Sequence, residues 1–188
     1  MAYGYLIKDG FGQVELNQVA FRRDGRIEAQ CALDSTDFNG RTAFAENGMI
    51  LVVDKKAEKI RLPKADDTNV TYALNYSTEH LYDERALGLK NFRLGPDDFY
   101  PRVGFLSVGD RFTTNAVRYT VGSSAGQYAD EAAIRTAMGS GRVYGIPSVE
   151  GYIELTNDPD DSTLVLEAVK FTTMPDGQPA IKFYVIKA

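Results

Sequence analysis

The run Leu164–Thr172, the segment Met174-Pro175-Asp176-Gly177-Gln178 and the run Ala180–Lys187 decide the fold class of this 188-residue chain. In both runs β-branched and aromatic residues alternate with polar ones, as in Ala180-Ile181-Lys182-Phe183-Tyr184-Val185. A period of two places every second side chain on one face, the pattern of a strand with one side buried. Pro175 presets φ near −65° for a turn and Gly177 accepts a left-handed position, so the two runs are expected to close a hairpin.

The same period recurs upstream. Met49–Val53 and Ile60-Arg61-Leu62 flank the charged segment Asp54–Lys59, a second hairpin with a solvated tip. Tyr72, Leu74 and Tyr76 alternate as a half-buried strand, and Val103–Val108 and Phe112–Val121 flank the short turn Gly109-Asp110. Near the start, Val14 and Leu16 alternate, the frame shifts, and Val19 and Phe21 continue to the turn Arg22-Arg23-Asp24-Gly25. The row Ile27–Leu33 follows, so an early hairpin is expected; the frame shift is either a bulge or a sign that the first strand pairs elsewhere. Residues 34–48 are turn-rich and read as a loop.

One segment reads clearly as helix, about 130–138. Asp130 is an N-cap, Glu131 an acid in the first turn, Ala132, Ala133 and Ala137 good helix formers, and Gly139 a stop. A weaker helix or turn covers Thr78–Leu87. The rest divides into about 8–11 short strands, which implies one mainly β domain over 1–188, a barrel or sandwich of short antiparallel strands. Two segments stand apart: residues 1–11, expected as an extended N-terminal arm, and residues 88–102, a long connection rich in aromatic residues that packs either on this domain or on another chain.

Composition narrows the function classes. Apolar residues make up 44% and charged residues 25%, the balance of a globular chain. The aliphatic run Met49–Val53 is far below the roughly 18 residues that cross a bilayer as helix, so no membrane span is expected. Net charge is −5, which argues against a nucleic-acid partner. The N-terminus lacks a basic stretch followed by a long apolar one, so no signal peptide is expected and folding takes place in a reducing cytoplasm. One Cys and one His leave no disulfide framework and no cysteine/histidine zinc site. Cys31, in the row Ile27, Ala29, Cys31 and Leu33, reads as a small core residue rather than a nucleophile.

Other chemistry is weakly marked. His80 lies in Thr78-Glu79-His80-Leu81-Tyr82-Asp83-Glu84-Arg85, where Glu79/Asp83 and His80/Glu84 are i,i+4 pairs on a helix. A carboxylate–imidazole metal site is geometrically open there, but a surface network explains the residues better, and no metal or other cofactor is expected. Asn157-Asp158-Pro159-Asp160-Asp161-Ser162 fails as a calcium loop, because counting from Asp158 puts Thr163 and Val169 where Gly and Glu are required. Gly122–Gly126 and Gly139–Arg142 lack the Lys-Ser/Thr of a phosphate-binding loop and read as connections either side of the helix. Charge is segregated: from Val143 to Val169 there is no Lys or Arg, while Glu150, Glu154, Asp158, Asp160, Asp161 and Glu167 carry −6. That stretch is a solvated face, or it meets a basic partner such as the cluster Arg22, Arg23 and Arg26 of a neighbouring copy.

Several phrases carry a resemblance together. They are Glu46-Asn47-Gly48-Met49 before an aliphatic strand, Tyr76–Arg85, Leu94-Gly95-Pro96-Asp97-Asp98-Phe99-Tyr100-Pro101-Arg102-Val103-Gly104, Val108-Gly109-Asp110-Arg111-Phe112-Thr113-Thr114-Asn115 and Met174–Gln178. The chain resembles, in style and layout over most of its length, virion structural proteins of tailed bacteriophages, in particular head decoration or cement proteins. The resemblance implies no catalysis, location in the virion, homo-oligomerisation on the particle, and two partners: the major capsid protein and copies of itself. Other virion components (a head–tail connector, tail or baseplate protein) and a small ligand-binding or metal-dependent β-barrel enzyme, using His80 and nearby carboxylates, are the rival readings. The expected partner-binding residues are Tyr3, Tyr5, Leu6, Ile7 and Phe11 in the arm, with Phe92, Leu94, Phe99 and Tyr100 in the loop. Removal of residues 1–11 is then expected to leave a folded domain that assembles poorly.

Overall fold

The computed structural model describes residues 2–16, 19–20, 27–28, 31–77, 89–159 and 161–188. In chain order the strands are β1 (Tyr3–Tyr5), β2 (Ile27–Glu28), β3 (Ala32–Leu33), β4 (Ala45–Glu46), β5 (Ile50–Asp54), β6 (Lys59–Arg61), β7 (Tyr72–Asn75), β8 (Arg93–Leu94), β9 (Val103–Phe105), β10 (Arg111–Thr114) and β11 (Val117–Thr120). Helix α1 (Glu131–Ser140) follows, then β12 (Tyr144–Pro147), β13 (Ile153–Thr156), β14 (Val165–Thr173) and β15 (Pro179–Lys187). One sheet has seven strands in the order β1-β11-β13-β12-β14-β15-β10, and a second has six in the order β2-β9-β7-β5-β6-β3. A two-stranded ribbon, β4-β8, completes the set. Among the described residues the expected mainly β fold with one short helix is what forms, sandwich-like and with no closed barrel.

The tail hairpin forms as its alternation requires, β14 pairing antiparallel with β15. Ile181, Phe183 and Val185 point into the core while Lys182 and Tyr184 point out. Phe183 lies opposite Phe112 of β10, their rings 5.9 Å apart, and both are fully buried. Ile50 and Leu74 of the six-stranded sheet join this cluster. Their neighbours Leu51, Val53 and Ala73 face the other way, onto Phe38, Phe92 and Leu94. The six-stranded sheet is thus covered on both faces. That is why Met49–Val53 reads as an unbroken apolar run rather than an alternating one, and each such side chain contributes about 1.5–3 kcal/mol by leaving water. Burial on both faces also corrects the half-buried expectation for Tyr72–Tyr76: β7 lies between β5 and β9, with Ala73, Leu74 and Asn75 buried.

The early hairpin does not form among the described residues. Val14 bridges Thr114, Ala20 bridges Arg111, and the Glu15 N–H donates to the Thr113 carbonyl, so this run covers the β10 edge. The frame shift marks a strand that pairs elsewhere. The row Ile27–Leu33 is likewise not one strand: β2 joins β9 and β3 runs parallel to β6. Cys31 is buried beside Leu33, as expected of a small core residue. The turn Arg22–Gly25, Arg26, and the segment Thr78–Leu87 lie outside the described residues. Phe112–Val121 splits in two because the Thr114 hydroxyl donates to the Gln13 carbonyl (2.6 Å) and accepts from the Ala116 N–H (3.0 Å), turning the chain at Asn115.

Gly48 is required where β4 turns into β5. Its φ is +86°, and a Cβ there would lie 1.9 Å from the Thr114 hydroxyl oxygen. Helix α1 starts as expected, with the Asp130 carboxylate accepting from the Ala133 N–H at 2.9 Å. It ends later than expected, running through Gly139 to Ser140, with Gly141 as its C-cap. Asp130→Ala is expected to cost about 1 kcal/mol in urea denaturation, the worth of one N-cap.

Candidate functional site

The expected arm is a docked strand. β1 pairs antiparallel with β11, and Leu6 is fully buried with its N–H donating to the Val117 carbonyl. Beyond it, Gln178 in the tail turn holds the chain from both ends of its amide. Its Oε1 accepts from the Lys8 and Asp9 N–H groups (2.8 and 3.1 Å), and its Nε2 donates to the Asp9 carbonyl (3.0 Å) and to Asp176 (2.7 Å). Asp176 also accepts from the Gln13 side chain at 2.9 Å. Lys90 pairs with Asp9, and the Phe11 N–H donates to the Lys90 carbonyl. A segment with this many partners is part of the domain, so Leu6 cannot touch a partner and Ile7 is half-buried.

Loop 88–102 divides in the same way. Phe92 (8% exposed) and Leu94 (1%) are core residues, which removes both as contacts and answers where the loop's apolar side chains go. Arg93 points outward, its guanidinium 3.7 Å from the Phe44 ring centre and 4.9 Å from that of Phe11. Phe99 and Tyr100 remain exposed, at 48% and 56%. Both stems below them are fixed. The Asp98 carboxylate accepts from the Gly95 N–H at 2.7 Å, Gly95 packs on Gly40, and Pro101 is buried. After it, the Arg102 N–H donates to the Ser77 hydroxyl at 2.8 Å and its carbonyl accepts from the Tyr76 N–H. Phe92 meets Phe99 with ring centres 6.1 Å apart, which ties the presented tip to the core. The tip therefore offers two aromatic rings beside Asp97 and Asp98 from a base whose backbone is held, so little backbone freedom remains to be lost on contact.

A polar network that the sequence reading did not single out lies at the β1 end of the seven-stranded sheet. Arg118 is 5% exposed. Its Nε and Nη2 donate to Glu154, its Nη1 to Glu150, and Tyr3 lies over the guanidinium at 4.3 Å. Burial works against the charge, but Glu154 and Glu150 outweigh it and hold the Arg118 pKa above its usual value. The Tyr5 hydroxyl donates to Glu150, and its ring meets Tyr152 edge-on at 5.5 Å. Tyr152 donates to Glu46 (3.0 Å), whose other oxygen accepts from the Gly12 N–H (2.6 Å). Burial raises the Glu46 pKa, against the pull of Gly12, Tyr152 and Arg93, and it raises that of Tyr152 still more strongly. Both Glu46 oxygens are engaged within the protein, so this carboxylate joins N-terminal segment, ribbon and sheet rather than facing a substrate. Arg118 escaped the sequence reading because Val117-Arg118-Tyr119-Thr120 looks like any strand with a solvated face; the groups that cover it come from positions 3, 150 and 154.

Among the described residues no group of three or more His, Cys, Asp and Glu is placed to hold a metal ion. His80, Glu79, Asp83 and Glu84 lie outside those residues, so the carboxylate–imidazole reading is neither met nor opposed. A groove of about 610 Å³ between the open ends of the two sheets is lined by Asn69, Thr71, Tyr72, Leu106, Val108 and Lys187 among others. At neutral pH the Arg61–Asp67 pair near this end is bidentate (2.9 and 2.6 Å), and Arg61 holds the Asp67 carboxyl below its usual range. A depressed carboxylate stabilises the fold above its ordinary pKa and loses that contribution as pH falls through the lower, folded value. Asp67→Asn is thus expected to cost about 1 kcal/mol or less at pH 7, as for a solvent-screened pair, and to match wild type at the acid end of a pH series of urea melts; a constant gap would remove the linkage.

Comparison with family models, with curated proteins and with solved structures gave no match to this chain.

Proposed function

We propose that this chain is a non-enzymatic structural protein of a tailed-phage particle, of the head decoration type, which binds the major capsid protein lattice and stabilises the shell. The observation that carries the reading is the 95–101 loop: two exposed aromatic side chains, Phe99 and Tyr100, on a tip whose two stems are buried and hydrogen-bonded. Rigid aromatic anchors of this kind supply most of the energy of a protein–protein contact. A β-sandwich braced by ion pairs and by a clamped N-terminus suits a component whose work is mechanical. The resemblance of the chain's phrases to decoration proteins supplies the identity of the partner.

The test is addition of the purified protein to expanded capsid shells that lack it. Binding, with a rise in the melting temperature of the shell and a copy number on the scale of the lattice, is the expected result. Failure to bind and to stabilise removes the reading, and a copy number on the scale of a single vertex moves the protein to the connector.

A further inference from the structure

The β4–β5 turn, the β10–β11 turn and the N-terminal segment meet inside the protein. A Cβ on Gly48 would lie 3.0 Å from the Ala116 Cβ, and one on Gly12 would lie 3.1 Å from it and 2.6 Å from the Asn47 carbonyl oxygen. Two asparagine side chains at this junction, Asn47 and Asn115, are fully buried. A buried amide is nearly always hydrogen-bonded, because one that gives up water without a replacement destabilises the fold. Here Asn115 Oδ1 accepts from the Gln13 N–H at 2.6 Å, but Asn115 Nδ2 and both Asn47 Nδ2 and Oδ1 have no hydrogen-bond partner among the described residues. Exchanging nitrogen and oxygen does not remove the deficit: neither end of Asn47 is partnered, and the Gln13 N–H fixes which end of Asn115 is oxygen. The polar groups around them are engaged elsewhere. The Thr114 hydroxyl donates to the Gln13 carbonyl and accepts from the Ala116 N–H, and the Glu46 carboxylate accepts from Gly12 and Tyr152.

The unpartnered atoms define the ligand that satisfies them. Two NH2 groups need an acceptor and one carbonyl oxygen needs a donor. A metal or ammonium cation has no acceptor to offer the NH2 groups. A simple anion has no donor to offer the Asn47 oxygen, and it would enter the junction that already holds the Glu46 carboxylate, whose Oε2 lies 3.2 Å from where a Gly12 Cβ would be. Water donates and accepts, carries no charge, and is small enough for turns packed this closely. We propose that the Asn47–Asn115 junction is an internal hydration site, where bound water joins the β4–β5 turn to the β10–β11 turn. Buried waters of this kind bond to about three polar groups and belong to the fold as side chains do. The site makes Asn115 a two-ended link, its nitrogen on the water and its oxygen on the Gln13 N–H, so the N-terminal segment is seated through a hydrated joint. The inference concerns the interior of a single chain and stands apart from shell binding.

Water–protein Overhauser spectroscopy on the full, nitrogen-15-labelled chain tests it. The side-chain NH2 protons of Asn47 and Asn115 are expected to show cross-peaks at the water frequency with the sign of a water that tumbles with the protein. The NH2 of Asn39, on an exposed loop, is expected to show none of that sign. Oxygen-17 relaxation dispersion, which is blind to hydroxyl protons such as that of Thr114, counts the long-lived waters. That count is expected to fall by at least one in Asn47→Leu, a side chain of similar size that needs no hydrogen bond. Absence of long-lived water contacts at both NH2 groups overturns the inference, as does an unchanged oxygen-17 count in an Asn47→Leu protein with the wild-type circular dichroism spectrum. Where Asn47→Leu does not fold, the wild-type Overhauser spectra decide alone.

Discussion

Leu6→Ala is expected to lower the free energy of unfolding by about 3 kcal/mol, and removal of residues 1–11 is expected to abolish the cooperative urea transition of the domain. Leu6 is fully buried among Val14, Val117, Tyr119 and other residues of the main cluster, so truncation leaves a cavity that a tightly packed β-core closes only in part. Deleting the segment does more. It strips β1 from β11, frees the Gln178 amide from Lys8 and Asp9, and removes the Tyr3 ring from Arg118. Unmade hydrogen bonds at buried groups cost more than the bonds themselves contribute. A truncated protein that melts with the wild-type midpoint would restore the free-arm reading, in which these residues serve a partner.

The second large effect belongs to the loop tip. Phe99→Ser combined with Tyr100→Ser is expected to leave thermal unfolding within about 2 °C of wild type, because both rings are substantially exposed. The same variant is expected to weaken shell binding by about a hundredfold, the loss of two aromatic anchors acting together. Phe92→Ala, seven residues earlier in the same loop, should do the reverse: it costs about 3 kcal/mol of stability and changes binding only as far as the fold is lost, since Phe92 is buried against the six-stranded sheet. Equal binding by wild type and the double variant would end the role of the tip.

These two loop phenylalanines show where reading residues in order stops being informative. Phe92 and Phe99 are both aromatic, both in a long connection, and both candidates for contact. One is buried in the core and the other stands exposed on a turn, a difference made where Leu94 pairs with Ala45 and Gly95 packs on Gly40. The N-terminal segment repeats the lesson. Gln178 reads as the last residue of a hairpin turn, and nothing in Met174-Pro175-Asp176-Gly177-Gln178 announces that its amide will hold Lys8 and Asp9 some 170 positions away.

What the amino-acid order determined by itself is local. Alternation in Ala180–Lys187, the Pro175 and Gly177 turn, the charged tip between Met49 and Leu62, and the Asp130 cap each rest on backbone geometry within a few residues, and each formed. The mainly β class followed, because short alternating runs separated by turn residues have few other ways to bury their apolar faces. Tertiary structure decided the rest: that Val14 and Ala20 edge β10 instead of closing a hairpin, that Leu6 is core and Tyr100 is surface, and that Arg118 is enclosed by two distant glutamates. Strand partners and burial depend on which faces meet, and an apolar side chain leaves water equally well against any surface that fits it. That choice is made by the whole chain packing at once, and no window of sequence contains it.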